Sequence, residues 1–486
     1  MNNMKQSLSK LYAALLTLVF LSGPFMLRAE GKTSGMRPNI VLLVADDMGW
    51  NDVGYHGSLI RTPNIDRLVA EGVELDRFYT APICSPTRAG LLTGRYPIRF
   101  GLMRSAIPPS ESFGLSPHEV LLTDYLKEAD YMHRVILGKW HLGHSDLKYH
   151  PLRRGFTYFY GGYHGAIDYF SKLRDGERDW HRNFDPSPEN GYATTLIAEE
   201  AVEFINNQSK DAPFFLYVPF HAPHGPLMAP ETYKIKYRHL SEPRQVYAAM
   251  VTCMDDAIGA IMNALDAKGI GGSTLVWFLS DNGGNGVGSS NEPLRGLKSS
   301  VFEGGIRVPS FVRWPQELDG GRKVESPIAY IDIMPTLMRV LNITREDGIV
   351  FDGIDVFELL NGRRPWINRD IFSYIANEGD LDERIAITEF PWKAICLGPS
   401  IADESHPENS REKLLFRLDS DPHEKVNLWG LHEEIETRLV KKLKEFRGLQ
   451  VAERVKPYSM HRSFVAPDGY PPPDWRMELF PRNSDR

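Results

Sequence analysis

The chain has 486 residues, of which 42% are hydrophobic and 24% are charged. This length accommodates one large domain and a smaller one, and the globular composition excludes a chain that is disordered throughout. The net charge of −7 argues against nucleic acid as the main partner, because proteins that bind it usually carry a basic excess. An anionic ligand would therefore need a local cluster of basic residues.

The first 29 residues have the pattern of a signal peptide. Lys5 and Lys10 form a basic start, an apolar run follows over 11–21, and Ala29 offers a cleavage site. The run is short for a membrane span, so we expect export to the periplasm or secretion, with an uncleaved anchor as the alternative. After removal of the signal peptide we expect no membrane span.

Strand-like and helix-like segments alternate over 36–365, which we interpret as the larger domain. Strands are predicted at 39–45, 131–137, 213–219 and 273–280, and helices at 62–71, 121–129 and 245–267. Continuous apolar strands between helices indicate an α/β fold, in which helices flank both faces of a large mixed sheet.

The segment 366–486 has a different pattern and predicts a small α+β domain with antiparallel strands. Strands are predicted at 370–375, 392–397 and 413–418, followed by an amphipathic helix over 432–446. The tail from Tyr458, with prolines at 471–473, is predicted to be an extended wrap.

Polar residues follow four of the predicted strands in the larger domain. They are Asp46 and Asp47, Lys139 and His141, His221 and His224, and Asp281 and Asn282. Ligands of α/β sheets bind at the carboxyl ends of the strands, so these residues predict one shared site.

Adjacent carboxylates repel each other, and a cation compensates them. The oxygens of Asp46, Asp47, Asp281 and Asn282 suit one Ca²⁺ ion best and Mg²⁺ less well. Turn and helix-cap roles are the alternative for both pairs.

Cys84 begins the most unusual run in the chain, Cys-Ser-Pro-Thr-Arg-Ala-Gly-Leu-Leu-Thr-Gly-Arg. Pro86 suits a first helical turn and Gly94 suits a helix end, so Cys84 is predicted at a helix N-terminus, which favours an anion. The alternatives are a buried thiol and a cysteine nucleophile of lowered pKa.

This run resembles the signature of type I sulfatases, in the alkaline phosphatase superfamily. Similar stretches follow in order: Gly138-Lys139-Trp140-His141-Leu142-Gly143, Pro223-His224-Gly225-Pro226, Asp281-Asn282-Gly283-Gly284, Leu294-Arg295-Gly296-Leu297-Lys298 and Glu303-Gly304-Gly305-Ile306-Arg307. The resemblance implies an alkaline phosphatase-like fold. It also implies that a formylglycine-generating enzyme, or an anaerobic sulfatase-maturating enzyme, oxidises Cys84 to formylglycine during export.

The resemblance further implies a role for each matched residue. Asp46, Asp47, Asp281, Asn282 and residue 84 would bind calcium, and Arg88 and Lys139 would hold the hydrated aldehyde. Lys139, His224 and Lys298 would bind the sulfate. His224 would protonate the leaving alcohol, and His141 would take a proton from the second hydroxyl so that sulfate is eliminated.

Stretches such as 49–54 and 93–99 resemble the arylsulfatase B branch, which removes 4-sulfate from N-acetylgalactosamine. Only three cysteines are present, which favours a bacterial relative acting on a sulfated carbohydrate, either a glycosaminoglycan or an algal galactan. Candidates for contacts with the sugar are Arg104, His164, Asp168 and Tyr169.

Three other functions remain open from the sequence. They are a phosphonate monoester or phosphodiester hydrolase of the same superfamily, a non-catalytic glycan-binding relative, and a hydrolase that uses unmodified Cys84.

Overall fold

The structure, a computed structural model, describes residues 37–344 and 348–460. The predicted signal peptide and the tail beyond Met460 lie outside these ranges, so both stay predictions.

Eighteen strands are described: β1 (Asn39–Ala45), β2 (Val73–Leu75), β3 (Phe78–Tyr79), β4 (His133–Lys139), β5 (Tyr158–Gly162), β6 (Leu173–Arg174), β7 (Glu177–Arg178), β8 (His181–Arg182), β9 (Asp185–Pro186), β10 (Phe214–Pro219), β11 (Thr274–Ser280), β12 (Ser310–Arg313), β13 (Arg322–Val324), β14 (Ile328–Ala329), β15 (Asp370–Ile375), β16 (Glu383–Glu389), β17 (Trp392–Gly398) and β18 (Glu412–Arg417). The α-helices of the described ranges are α1 (Pro63–Glu71), α2 (Cys84–Thr93), α3 (Leu122–Glu128), α4 (Ala193–Asn207), α5 (Glu231–Lys234), α6 (Arg244–Ala267), α7 (Glu303–Ile306), α8 (Ile333–Val340), α9 (Phe357–Leu360) and α10 (Glu433–Arg447).

Ten strands form one mixed sheet in the order β13-β2-β12-β11-β1-β10-β4-β5-β8-β9. At its centre β11, β1, β10 and β4 are parallel, and Leu42 of β1 lies between Trp277 and Tyr217 of its two neighbours. Strand β12 runs antiparallel to β11. The predicted large mixed sheet is confirmed.

Apolar side chains of β1 are buried on both faces of this sheet. Ile40, Leu42 and Val44 belong to one hydrophobic cluster. Val41, Leu43 and Ala45 belong to the other. Because side chains alternate along a strand, a strand buried on both faces reads as a continuous apolar run, as β1 does.

Helix α6 is long and apolar enough to cross a membrane by length and composition, but 83% of its apolar window is buried inside the protein. From the sequence, no segment after the signal peptide is expected to be long and apolar enough to cross a membrane. The helix packs in the core beside β1, in the cluster of Val41 and Leu43.

Four antiparallel strands form the small C-terminal sheet, in the order β15-β16-β17-β18. The sequence analysis missed β16, the partner of both β15 and β17. It also missed α4. Tyr374 and Leu415 of the small sheet share a hydrophobic cluster with Ile40, so a continuous core crosses the predicted domain boundary at 365, which stays a prediction.

A buried ion-pair network joins the small sheet to α7. Lys393 Nζ of β17 lies 2.9 Å from Glu303 Oε1 and 2.8 Å from Glu424 Oε1. Burial and the neighbouring Glu303 raise the pKa of Glu424 to about 7, although Lys393 lowers it. One ammonium group therefore compensates two carboxylates that water does not reach.

We predict that Lys393→Met destabilises the fold by about 3–5 kcal/mol, because it leaves two buried carboxylates without their cation. Urea unfolding of the wild type and the variant measures this loss. Lys442→Met is the control, since Lys442 pairs with Asp370 and Glu389 at a partly exposed position and should cost about 1 kcal/mol or less. Equal losses in the two variants would contradict the prediction.

Candidate active site

The four strands that carry the predicted site residues are neighbours in the large sheet. Strands β11, β1, β10 and β4 are adjacent and parallel, so their carboxyl ends meet at one edge. The loops that follow them bring the predicted site residues together there, apart from His221. This residue is buried in the core against Trp180, and burial lowers the pKa of its imidazole well below the usual range.

Asp46 and Asp47 follow β1 and both reach the site. Asp47 has a φ of 65°, a left-handed backbone conformation that turns the chain at the strand end. Asp46 Oδ2 lies 2.6 Å from Lys139 Nζ, and Asp47 Oδ1 lies 2.6 Å from Lys298 Nζ. The turn therefore lets adjacent residues contact two different cations of one site.

Asp281 and Asn282 follow β11 and contact the first pair. Asp281 Oδ1 accepts a hydrogen bond from the Asp47 amide at 3.2 Å, and Asn282 Nδ2 donates to Asp47 Oδ1 at 2.8 Å. The next residue is Gly283, where a Cβ atom would lie 1.9 Å from the Gly304 carbonyl oxygen. Only glycine lets these two loops approach so closely.

Arg88 links the helix that carries Cys84 to this acidic cluster. Its Nε and Nη2 donate to Asp281 Oδ2 at 3.0 and 2.7 Å, and its Nη1 donates to the Lys139 carbonyl at 3.0 Å. The guanidinium is fully buried, and its pKa is raised by Asp281 and Asp46, although burial lowers it. Arg88 therefore holds three segments together with a permanent charge.

Cys84 is the first residue of α2, as predicted, and the helix ends before Gly94, which has a φ of 66°. Its thiol is buried, and burial raises its pKa, although Lys139 and Lys298 lower it. Ser85 Oγ donates to the His141 carbonyl at 2.9 Å and accepts from the Ile107 amide at 3.0 Å. The helix N-terminus, whose partial charge is positive, is thus tied to two loops of the site.

Burial disfavours the charged imidazolium forms of His141 and His224. Burial lowers the pKa of His141 well below its usual range, and Lys139 and Arg88 lower it further. Burial, Lys298 and Lys139 also lower the pKa of His224 to about 3, although Asp47 raises it. A negative group beside His224 would add to the effect of Asp47 and favour its protonation.

The donor set fits a divalent cation. Ligand atoms of Asp46, Asp47 and His224 lie within 4.8 Å of one another, as do those of Asp46, Cys84 and Asp281. Among the described residues, Asp46 Oδ1 and Asn282 Oδ1 are buried and have no hydrogen-bond partner. Oxygen atoms of this kind are the ligands that Ca²⁺ and Mg²⁺ prefer.

A cavity of about 230 Å³ opens above Cys84. It is lined by Ile83, Cys84, Ala106, Ile107, Pro109, His141, Gly165, Ala166, Arg174, His224, Lys298, Ser299, Asn377 and Tyr458. None of these described lining residues is acidic, although the chain as a whole is. Lys139 and Arg88 lie behind the wall, where the acidic cluster holds them.

The predicted sugar-binding residues are not among the described residues that line this cavity. Arg104 forms an ion pair with Asp380 at 3.0 Å, and His164 is buried against the ring of His144. Asp168 Oδ1 accepts hydrogen bonds from two amides of its own turn. Tyr169 is buried and donates to the His221 and His224 carbonyls at 2.6 and 2.8 Å, so it supports the loop of His224.

The sequence analysis missed Arg174, Asn377 and Tyr458, which do line the cavity. Arg174 lies on the β6–β7 hairpin, Asn377 lies in the connection between β15 and β16, and Tyr458 follows α10. The sequence signal for Arg174 is its position in the loop-rich stretch after β5, where polar and aromatic contacts with the sugar are predicted.

Comparison with known proteins decides the family. The sulfatase family model matches residues 38–343, which is more than half of the chain. The chain belongs to the sulfatase family. Members of this family hydrolyse sulfuric esters, so the chain is a sulfuric ester hydrolase.

Several relatives of this sulfatase align over most of its length. It is 33% identical over 474 residues to arylsulfatase J of Mus musculus, covering 88% of this chain and 79% of that relative. It is 34% identical over 434 residues to N-acetylgalactosamine-6-sulfatase of Mus musculus, covering 80% and 82%. The crystal structure of Ps i-CgsB in complex with k-i-k-neocarrahexaose superposes with a TM-score of 0.78 at 29% identity, covering 92% and 98%. The arylsulfatase B branch stays a prediction.

We predict that calcium stabilises the protein through the acidic cluster. A chelator should lower Tm, and calcium at about 100 times its Kd should add about 2.7 kcal/mol to the free energy of unfolding. Asp46→Asn should abolish this shift, because it removes a charged ligand, and magnesium should produce a smaller one.

Differential scanning fluorimetry with and without each metal measures these shifts. Asp256→Asn is the control, because Asp256 accepts a hydrogen bond from Tyr233 far from the cluster and its variant should keep the calcium effect. A wild-type Tm that responds to neither chelator nor calcium would contradict the assignment.

Proposed function

We propose that this sulfatase hydrolyses a sulfate ester on a sulfated carbohydrate, using a formylglycine made from Cys84 and a bound calcium ion. The observation that carries the proposal is the cavity itself. Cys84, at the N-terminus of α2, lines the cavity floor, and His141, His224 and Lys298 line the cavity around Cys84. None of the described lining residues is acidic. Such a cavity favours an anion.

The residues around Cys84 have different proposed roles in binding the metal ion and the sulfate. Oxidised and hydrated, residue 84 would supply a hydroxyl nucleophile for sulfur, and the divalent ion, held by Asp46, Asp47, Asp281 and Asn282, would supply positive charge beside it. Lys298 binds sulfate oxygens from the cavity wall. Lys139 and Arg88 act from behind the wall, where their charges favour an anionic residue 84.

The two histidines act on protons at opposite stages. His224 lines the cavity, and its Nε2 lies 3.6 Å from Asp47 Oδ2, so it is placed to protonate the leaving alcohol once the sulfate is bound beside it. His141 holds the Ile107 carbonyl through Nε2 at 2.9 Å, and its Nδ1 has no partner among the described residues. This nitrogen would accept the proton that residue 84 releases when sulfate leaves.

The thiol chemistry argues against an unmodified Cys84 nucleophile. Burial raises the pKa of this thiol, so the reactive thiolate is disfavoured at neutral pH. A purely glycan-binding role would not require the two histidines and Lys298 around Cys84. A phosphonate monoester or phosphodiester hydrolase remains the second candidate, and turnover of the two ester classes separates it from a sulfatase.

The substrate class is supported by the names of the relatives. One is a sulfatase of N-acetylgalactosamine, and another was crystallised with k-i-k-neocarrahexaose. We keep the 4-sulfate of a galactosamine or galactan unit as the proposed position, with 6-sulfate as its direct rival. Export through the signal peptide is part of the proposal, since maturation of Cys84 accompanies it.

We predict that the tryptic peptide Phe78–Arg88 of the natively exported protein has the mass of formylglycine at position 84. The same preparation should hydrolyse sulfated N-acetylgalactosamine, faster at the 4-position than at the 6-position, and phosphodiesters far more slowly. Cys84→Ala should abolish turnover.

Mass spectrometry and sulfate release measure these outcomes. If the peptide carries unmodified cysteine, the control is to repeat the measurement on protein that was co-expressed with a maturating enzyme. A cysteine that persists there would sink the mechanism, and faster phosphodiester turnover would favour the second candidate.

We predict that His224→Ala lowers kcat/KM by a factor of about 10²–10⁴ for a sulfated sugar, because the leaving alkoxide loses its general acid. The loss should be much smaller for p-nitrophenyl sulfate, whose leaving group needs no proton. His239→Ala is the control outside the cavity, where the ring contacts Tyr237. Equal losses on both substrates would assign His224 to sulfate binding alone.

A further inference from the structure

Arg174 extends the site away from the catalytic cluster. It lies on β6, which pairs with β7 so that Leu173 is opposite Arg178 and Arg174 is opposite Glu177. Arg174 lines the same cavity as Cys84 and Lys298, but from the hairpin and not from the strand ends. The proposed sulfate chemistry does not use it.

The guanidinium of Arg174 has little compensation within the protein. Its one ion pair among those described is with the adjacent Asp175, where Nε and Oδ2 are 3.5 Å apart. Nε is buried and has no hydrogen-bond partner among the described residues, while 23% of the side chain remains exposed. A buried donor without a partner is costly, so a ligand that accepts from it would be favoured.

Among the described residues, the cavity lining adds no carboxylate to Asp175 as compensation for this positive charge. Ala106, Ile107, Pro109 and Ala166 are apolar, and no acidic residue is among the described lining residues. An arginine fork in such surroundings matches the two oxygens of a carboxylate or sulfate. The charge of one scissile sulfate is already complemented by Lys298 and the residues behind Cys84.

The hairpin is held in place by its own base. Lys172 Nζ donates to the carbonyls of Phe170, Glu189 and Gly191 at 2.9, 2.9 and 2.7 Å. The Lys172 amide donates to the Asp168 carbonyl at 2.8 Å, and the Asp168 amide donates to the Leu173 carbonyl at 2.9 Å. Asp168, a predicted sugar-binding residue, is therefore a positioning residue for the strand of Arg174.

We propose, resting on the proposed function, that Arg174 binds a second anionic group of the substrate, close to the sulfate that is cleaved. The group is the carboxylate of a uronic acid or a second sulfate, on the same sugar or on its neighbour. The preferred substrate is therefore at least doubly anionic, and Arg174 determines that preference.

The test compares Arg174→Gln with the wild type on three kinds of substrate. They are p-nitrophenyl sulfate, a sulfated disaccharide that carries a uronate, and a disulfated disaccharide without one. The variant should lose about tenfold to a hundredfold in kcat/KM, through KM, on whichever doubly anionic substrate the wild type prefers. Its turnover of p-nitrophenyl sulfate should be unchanged, and the preferred disaccharide identifies the anionic group.

Two further variants separate charge from structure. Arg174→Lys keeps the charge and should recover part of the affinity, while Arg178→Gln, exposed on the paired strand, should behave as the wild type on all three substrates. A loss shared equally with p-nitrophenyl sulfate, or no loss on either disaccharide, overturns the role of Arg174. A wild type that cleaves none of the three sulfate esters overturns the proposed function instead.

Discussion

Three buried carboxylates at one edge of one sheet, those of Asp46, Asp47 and Asp281, determine how the rest of the site is built. All three are almost fully buried, and burial together with the neighbouring charge of Asp281 raises the pKa of Asp46 to about 8. Three cations from separate segments of the chain compensate the charge of these carboxylates. Arg88 comes from α2, Lys139 from the end of β4 and Lys298 from the loop before α7, so neutralising the charge also brings these segments together.

Lys298, one of the cations that compensate the carboxylates, is itself held in place by several other segments. Its amide donates to the Gly284 carbonyl at 3.0 Å, and the next residue, Ser299, donates its amide to the Pro82 carbonyl at 2.8 Å. Arg384 of the small sheet donates to the Ser299 carbonyl at 2.8 Å. The small sheet, joined to α7 through Lys393 and Glu303, therefore supports the loop that carries Lys298.

The sequence was enough to predict what depends on local pattern. The parallel core strands are continuous apolar runs, and the polar residues that end them meet because parallel strands share one edge. Strand β16 begins and ends with glutamates and has one arginine near its start, which weakens its apolar signal. Arg104 and Arg174 could not be told apart, since only the folded chain shows that one guanidinium faces Asp380 and the other faces the cavity. The small sheet's contribution through Asn377 likewise depends on long-range packing.

The inner part of the cavity is formed where the central strands end, and its outer wall is formed by segments that are not part of those strands. Substitutions in the acidic cluster are strongly constrained, because each charged side chain pairs with one of opposite charge and Asp47 has a left-handed backbone conformation. The β6–β7 hairpin is a short excursion between Lys172 and Asp179, and none of the charged residues of the cluster lies on it. Under the proposed role of Arg174, the hairpin can be exchanged without disturbing the acidic cluster, and grafting this segment between relatives is a route to moving substrate preference from one enzyme to another.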